Sequence, residues 1–326
     1  MKKGVKAVGL LSGGLDSTLA IKLLLDQGIE VHAINFTSPF CRCTPKSAGC
    51  DAAVQAARKL GNIPLRQVPL GEEYLAMILN PKHGYGRGMN PCLDCRILKL
   101  RKAAQYMEKI GAAFLFTGEV VGQRPMSQRR RALELIDRES GMAGRILRPL
   151  SAQILPETQP ERDGLVDRSR LLAVAGRSRK TQIGLARQFN INDYPCPAGG
   201  CLLTDPIFSE RLQEFIKHRK DINADDVARL KVGRHFRTGE GHKIIVARNE
   251  GECGMLQRLF QGREHLLVPE NFAGPTVWFE AEALKLALQK MEEYTGGDKT
   301  PQARVFHYWQ DSKQSIFLHS ETKAES

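Results

Sequence analysis

A doubly wound α/β domain followed by a smaller α+β unit is the fold this sequence predicts, on three observations. In the first half, short apolar or β-branched runs alternate with amphipathic helical stretches, the pattern of a parallel sheet wrapped by helices. A glycine-rich turn, Ser12-Gly13-Gly14-Leu15-Asp16-Ser17, joins the first apolar run to the first helical stretch. Beyond residue 203 the alternation stops and the character of the chain changes. The 326 residues suffice for two domains, and 42% hydrophobic with 26% charged residues is globular rather than disordered composition.

The first domain is expected over residues 1–204. Its strands fall at 5–11, 30–36, 65–68, 113–117 and 145–148, with helices at 16–27, 50–60, 92–110 and 178–189. Two segments break that rhythm: 80–91, rich in Gly and Pro, and 151–176, which holds Pro156 and Pro160. Both read as surface loops over a site. A second domain over 205–326 takes a helix at 206–218, strands at 243–247 and 277–280, a helix at 281–294, and strands at 304–309 and 314–319.

Lys and Arg number 48 against 36 Asp and Glu, a formal charge of +12, which suits a polyanionic partner. The excess gathers at Arg129, Arg130 and Arg131, and again along Arg168, Arg170, Arg177, Arg179, Lys180 and Arg187, where a solvated basic face is the plainer explanation. The first apolar run is about seven residues, well under the roughly 18 of a membrane span, so the expectation is a cytoplasmic protein with no membrane partner. The eight cysteines are then a reduced set available for metal, sulfur or redox chemistry.

The turn at residues 12–17 is the most specific signal. Gly13 and Gly14 let the backbone N–H groups approach an anion, the helix start adds a positive dipole end, and Ser12 and Ser17 add hydroxyl donors. This is a pyrophosphate cradle. It lacks the Gly-Lys-Ser/Thr ending of a Walker loop, which favours cleavage between the α- and β-phosphates of ATP. Asp16 is the candidate Mg²⁺ ligand against the departing pyrophosphate; a helix-capping aspartate is the plain alternative.

The SGGLDS loop resembles that of the PP-loop ATP-pyrophosphatases, which adenylate a carbonyl or carboxylate, and the resemblance covers roughly the first 200 residues. It implies an adenine nucleotide alpha-hydrolase-like fold, with adenine beside the end of the second strand at Ile34, Asn35 and Phe36.

Cys92 and Cys95 form a CxxC at the start of a basic helix, and Cys201 follows much later, with Cys196 close by. If the intervening chain folds back over the sheet, Cys92, Cys95 and Cys201 are ligands for a [4Fe–4S] cluster with one iron left open. A persulfide on one low-pKa cysteine, resolved by another and helped by the helix end at Cys92, is the metal-free rival. A structural zinc site is the third arrangement, lacking a fourth ligand at customary spacing. Cys41, Cys43 and Cys50 form a second group without an assigned role.

The NPCLDC segment and the basic helix after it resemble the tRNA 2-thiouridylases. TGEVVGQRPMSQ at 117–128 and LRPLSA at 147–152 resemble the 4-thiouridine synthetases. Carried over by position, Gly118, Glu119, Gly122 and Gln123 line the nucleotide or target-base pocket. Against these families the expected departures are a missing N-terminal RNA-binding module of the synthetases and an insertion at 151–176. Residues 233–256 and 277–297 are loosely similar to the RNA-binding domain of the NFACT proteins, with Arg234, His235, Arg237, Lys243 and Arg248 as phosphate contacts. A structural or dimerising role, giving a homodimer, is the alternative for this domain.

The resemblance implies ATP-dependent thiolation of a tRNA uridine by a sulfurtransferase, with tRNA and a sulfur donor, either sulfide or a persulfide carrier protein, as partners. The rivals are a small-molecule PP-loop ligase or amidotransferase-like enzyme, which leaves the cysteines and charge unexplained, and a non-catalytic RNA-binding protein, which has no need of an intact SGGLDS.

Overall fold

The computed structural model describes residues 4–41, 51–192, 194, 201–296 and 302–318. The chain divides into two compact units, Met1–Ser209 and Glu210–Ser326. Among the described residues no helix is long and apolar enough to cross a membrane.

The first unit is built on a five-stranded parallel sheet of β1 (Lys6–Leu10), β2 (Glu30–Thr37), β3 (Leu65–Pro69), β4 (Phe114–Thr117) and β5 (Ile146–Leu147), in the order β3-β2-β1-β4-β5. Its helices are α1 (Leu15–Leu25), α2 (Ala52–Lys59), α3 (Glu72–Leu79), α4 (Cys92–Lys109), α5 (Arg130–Glu139), α6 (Gln159–Arg162) and α7 (Lys180–Gln188). The sheet grows from β1 to β3 on one side and then restarts with β4 on the other flank of β1. That reversal opens a crevice at the carboxyl ends of β1 and β4, where open α/β sheets bind ligands.

Strand side chains alternate between two cores. Ala7, Val31, Ala33, Phe114 and Phe116 pack with Leu15, Leu19 and Leu24 of α1, with α2, and with Ala186 of α7. Val8, Ile34, Leu115 and Ile146 face the opposite way, onto Ile97, Leu100, Ala103 and Met107 of α4 and Ile136 of α5. Both faces are therefore covered, as an all-parallel sheet requires.

Residues 151–176 differ from the expected surface loop. Ser151 is fully buried, its Oγ donates to the Val174 carbonyl at 2.6 Å and accepts from the Val121 N–H at 3.0 Å, and Val166, Leu171 and Val174 join the core. The segment advances by α6 and two short 3₁₀ turns, Ala152–Ile154 and Arg168–Arg170, so its apolar residues follow no single period. Residues 80–91 hold no helix or strand and are pinned by Tyr85 Oη donating to the Ile78 carbonyl at 2.6 Å and Met89 N–H donating to Leu203 at 2.9 Å.

After α8 (Pro206–His218), the second unit runs α9 (Ala224–Leu230), β6 (Arg234–Arg237), β7 (Lys243–Val246), α10 (Glu250–Leu259), β8 (His265–Pro269), β9 (Val277–Phe279), α11 (Leu284–Glu293), β10 (Arg304–Trp309) and β11 (Ser312–Phe317). Its sheet is antiparallel, in the order β11-β10-β8-β9-β7-β6. One face, with Ile244, Val246, Leu267, Val277 and Val305, packs on Ala287, Leu288 and Met291 of α11. The other, with Ile245, Leu266 and Trp278, packs on Leu256 of α10.

His235 of β6 is held as a neutral ring: Nε2 lies 2.8 Å from the Val232 carbonyl, to which it donates, and buried Nδ1 has no partner. Burial, then Arg211 and Lys243, push its pKa down to about 3. An unfolded histidine gains its proton near 6.5, so between those pH values the unfolded chain binds more protons. Stability from the neutral ring is thus present above about pH 6.5 and is lost as pH falls towards about 3. Urea midpoints of the second unit are expected to drop over this window, and His235→Gln to flatten the drop; an identical acid limb in the variant would contradict the neutral-ring assignment.

Candidate active site

The phosphate loop sits at the β1–β4 crevice. Gly13 adopts φ +76°, and a Cβ there would lie 2.4 Å from the Ala52 carbonyl carbon, so only glycine lets the turn lie against α2. Ser17 Oγ donates to the Gly14 carbonyl at 2.9 Å, lies 3.1 Å from Ser12 Oγ and receives the Ser12 N–H at 3.3 Å. Gly14 is the N-cap of α1 and no side chain caps the helix, leaving its positive end to an anion.

β4 delivers the other wall. A Cβ on Gly118 would stand 2.5 Å from the backbone of Asp16 and Ser17, so the chain leaving β4 abuts the first turn of α1 directly. Gln123 Nε2 donates to Asp16 Oδ2 at 2.7 Å, and Gln182 of α7, fully buried, donates to Gln123 Oε1 at 2.9 Å. Arg179 adds a charged bond to the same Asp16 oxygen at 2.8 Å. Asp16 Oδ1 is buried with no partner. Arg179 and Gln182 lie more than 160 residues from the loop they serve, and no spacing rule reveals them. Lys180, beside Arg179, is exposed.

Glu119 is buried at 3% exposure, bonded to Arg148 at 3.2 Å and 3.5 Å from Arg96. Burial pushes its carboxyl up, but Arg96 and Arg148 outweigh burial and hold it below the usual carboxylate range. Arg148 turns its other nitrogens to Asp137 at 2.6 and 2.8 Å, tying β4, β5 and α5 together. Glu119 therefore braces the crevice.

Backbone pairing brings Cys201 beside Cys41. Met89 pairs with Leu203, Leu202 N–H donates to Phe40, and Cys41 and Cys201 form an antiparallel bridge, which carries Cys201 back over the sheet to the start of α4. Tyr74 Oη lies 3.8 Å from Cys95 Sγ, and burial followed by the Cys95 and Cys201 thiols pushes its phenol pKa up. Cys92 feels Cys95, and Cys201 feels both Cys95 and Cys41. Cys41, left without a role by the sequence, is thus a neighbour of the site. Cys43, Cys50 and Cys196 lie outside the described residues. Asp94, inside the CxxC, is locked by His83, whose N–H donates to Oδ2 at 3.1 Å while ring Nδ1 lies 3.1 Å from Oδ1.

Cys92 is half-buried at the start of α4. Burial and then Cys95 push its thiol up, against the pull of Arg96, Arg124 and Lys99. Burial likewise pushes Cys201 to about 11. Among the described residues no three His, Cys, Asp or Glu groups converge on one metal-ion position. Burial and then Arg96 pull the Arg124 guanidinium down, against Cys92, Asp16 and Glu119.

Asn35 and Phe36 lie at the end of β2, where Asn35 Nδ2 donates to the Leu11 carbonyl at 2.7 Å and Phe36 packs against the core. In the second unit most of the expected phosphate contacts are committed internally: Arg237 and Lys243 pair with Glu214, and Arg248 with Glu252. Arg234 is exposed and lies over the Tyr294 ring.

Residues 3–153 match the family model described as thiamine biosynthesis protein (ThiI), and residues 233–326 match that of the NFACT protein RNA binding domain. Over 116 residues the chain is 36% identical to a tRNA-specific 2-thiouridylase MnmA of Syntrophotalea carbinolica, 33% of this chain and 32% of that one. Over 146 residues it is 32% identical to a probable tRNA sulfurtransferase of Lysinibacillus sphaericus, 44% of this chain and 34% of that one. It thus spans about a third of the length of these relatives. A 4-thiouridine synthetase–RNA complex with bound ATP aligns with TM-score 0.41 and 21% identity, covering 65% of this chain and 50% of that one. Residues 3–153 are thus similar to the ThiI family and to tRNA thiouridylases and sulfurtransferases, and residues 233–326 to the NFACT protein RNA binding domain.

Proposed function

We propose that the protein is an ATP-dependent tRNA sulfurtransferase that adenylates a uracil carbonyl and replaces its oxygen with sulfur. The observation that carries this reading is a pyrophosphate cradle at the start of α1 and a group of thiols at the start of α4, where Arg96 reaches back to Glu119 beside the cradle at 3.5 Å. An ATP-dependent ligase has no use for the second half of that site.

In this cycle the uridine oxygen attacks the α-phosphate, and pyrophosphate leaves against Ser12, Gly13, Gly14 and Ser17 at the α1 N-terminus. The oxygen departs as part of AMP when a sulfide-level nucleophile from the donor adds to the activated carbon. Mg²⁺ fits the unpartnered Asp16 Oδ1, while Gln123 and Arg179 fix the other oxygen and so the carboxylate's direction. Cys92, Cys95 and Cys201 would hold a [4Fe–4S] cluster, which supplies a site for the sulfur atom. In this reading Arg96, held 3.5 Å from Glu119, neutralises the negative charge that develops.

ATP–pyrophosphate exchange by the wild type is expected to require unmodified tRNA, and Asp16→Asn to lower it by about 100-fold or more. Exchange indifferent to tRNA would sink the reading in favour of a small-molecule ligase. In the metal-free protein, alkylation of Cys201 at about pH 8 is expected to run about 100-fold slower than at an exposed thiol and to climb up to about pH 11. A rate that levels off below about pH 8 would contradict the buried, neutral thiol.

A further inference from the structure

Resting on the reading that this chain acts on RNA, we propose that the β10–β11 end of the second sheet stacks the bases of a single-stranded RNA segment, on Phe306 and Phe317. Register puts Arg304, Phe306 and Tyr308 of β10 on one face with Phe317, Ser315 and Lys313 of β11 opposite them. This is the face that α10 covers further in, at Leu266 and Trp278. At its β11 edge, Phe317 is 48% exposed, one of few large apolar side chains so open among the described residues.

Each ring carries a cation. Lys313 Nζ lies 3.5 Å from the Phe306 ring centre and 5.5 Å from that of Tyr308, and the Arg304 guanidinium lies 4.7 Å from Phe317. Alternating rings and cations on an open sheet are the elements of single-strand recognition: every base has a face to stack, and every nucleotide a phosphate to neutralise. Lys313 is exposed and has no carboxylate partner among the described residues; Arg304 has Glu270 at 3.6 Å. Exposed cation–π contacts are weak, so either cation can swing to a phosphate while a base takes its place on the ring. Phe306 and Phe317 are diagonal neighbours across the strand pair, close enough for consecutive bases of one strand.

A lysine on an edge strand is also a guard against edge-to-edge pairing. That role explains Lys313 and leaves the exposed Phe317 unexplained.

The test is fluorescence anisotropy of the full chain with a labelled oligouridine of about a dozen nucleotides, with an RNA duplex hairpin and with unmodified tRNA. Phe317→Leu, which keeps apolar area and loses the ring, is expected to weaken oligouridine binding about tenfold while leaving the hairpin unchanged. Phe317→Trp is expected to restore it, and Lys313→Ala to weaken binding and flatten its salt dependence. Unchanged oligouridine affinity in Phe317→Leu, with tRNA still bound, overturns the stacking face alone. A wild type that binds none of the three RNAs overturns the face together with the RNA-directed reading.

Discussion

The contact on which the first unit depends is the seating of Gly118 against the backbone of Asp16 and Ser17. Any side chain at residue 118 would drive the end of β4 away from the first turn of α1. With glycine there, the chain leaving β4 runs close enough for Gln123 to reach Asp16 and for Glu119 to lie buried between Arg96 and Arg148. The phosphate loop then has a second wall, and the start of α4, with Cys92, is drawn to the same crevice through Arg96. Parallel topology supplies the crevice; the glycine makes it narrow enough to be a site.

Charge is distributed with the same economy of position. Glu119, Arg148 and Asp137 are buried and mutually bonded, and breaking one partner of such a group leaves an uncompensated buried charge. The network is therefore a rigid brace between β4, β5 and α5. Asp16 differs, because one oxygen is fully engaged and the other is buried without a partner. An orphaned buried oxygen is costly, and its natural relief is a cation.

Much of the first sheet was legible because each strand is a short apolar run followed by an amphipathic helix. SGGLDS and CxxC were legible because their chemistry is local. The α5 helix was missed because Arg130–Glu139 is so polar that only Leu133 and Ile136 are buried, and α3, Glu72–Leu79, was missed as well. The β6 and β8 strands are short and carry histidine and arginine, with no clean alternation. Residues 151–176 read as loop because Val166, Leu171 and Val174 are buried from irregular chain beside two short 3₁₀ turns, without a period. Arg179, Gln182 and the Cys41–Cys201 bridge depend on long-range packing, for which a single sequence carries no signal. The basic residues of the second unit were visible as charges, but not the carboxylates that occupy them.

The central claim is that one site performs two separable steps, nucleotide activation at the loop and sulfur transfer at the thiols. The direct measurement is a single turnover with ATP, unmodified tRNA and sulfide, following AMP and thiouridine together in the wild type and in a Cys92→Ala, Cys95→Ala, Cys201→Ala variant. The account predicts one AMP per thiouridine in the wild type, and in the variant retained pyrophosphate release with no thiouridine. Thiouridine formed without the three cysteines would contradict it.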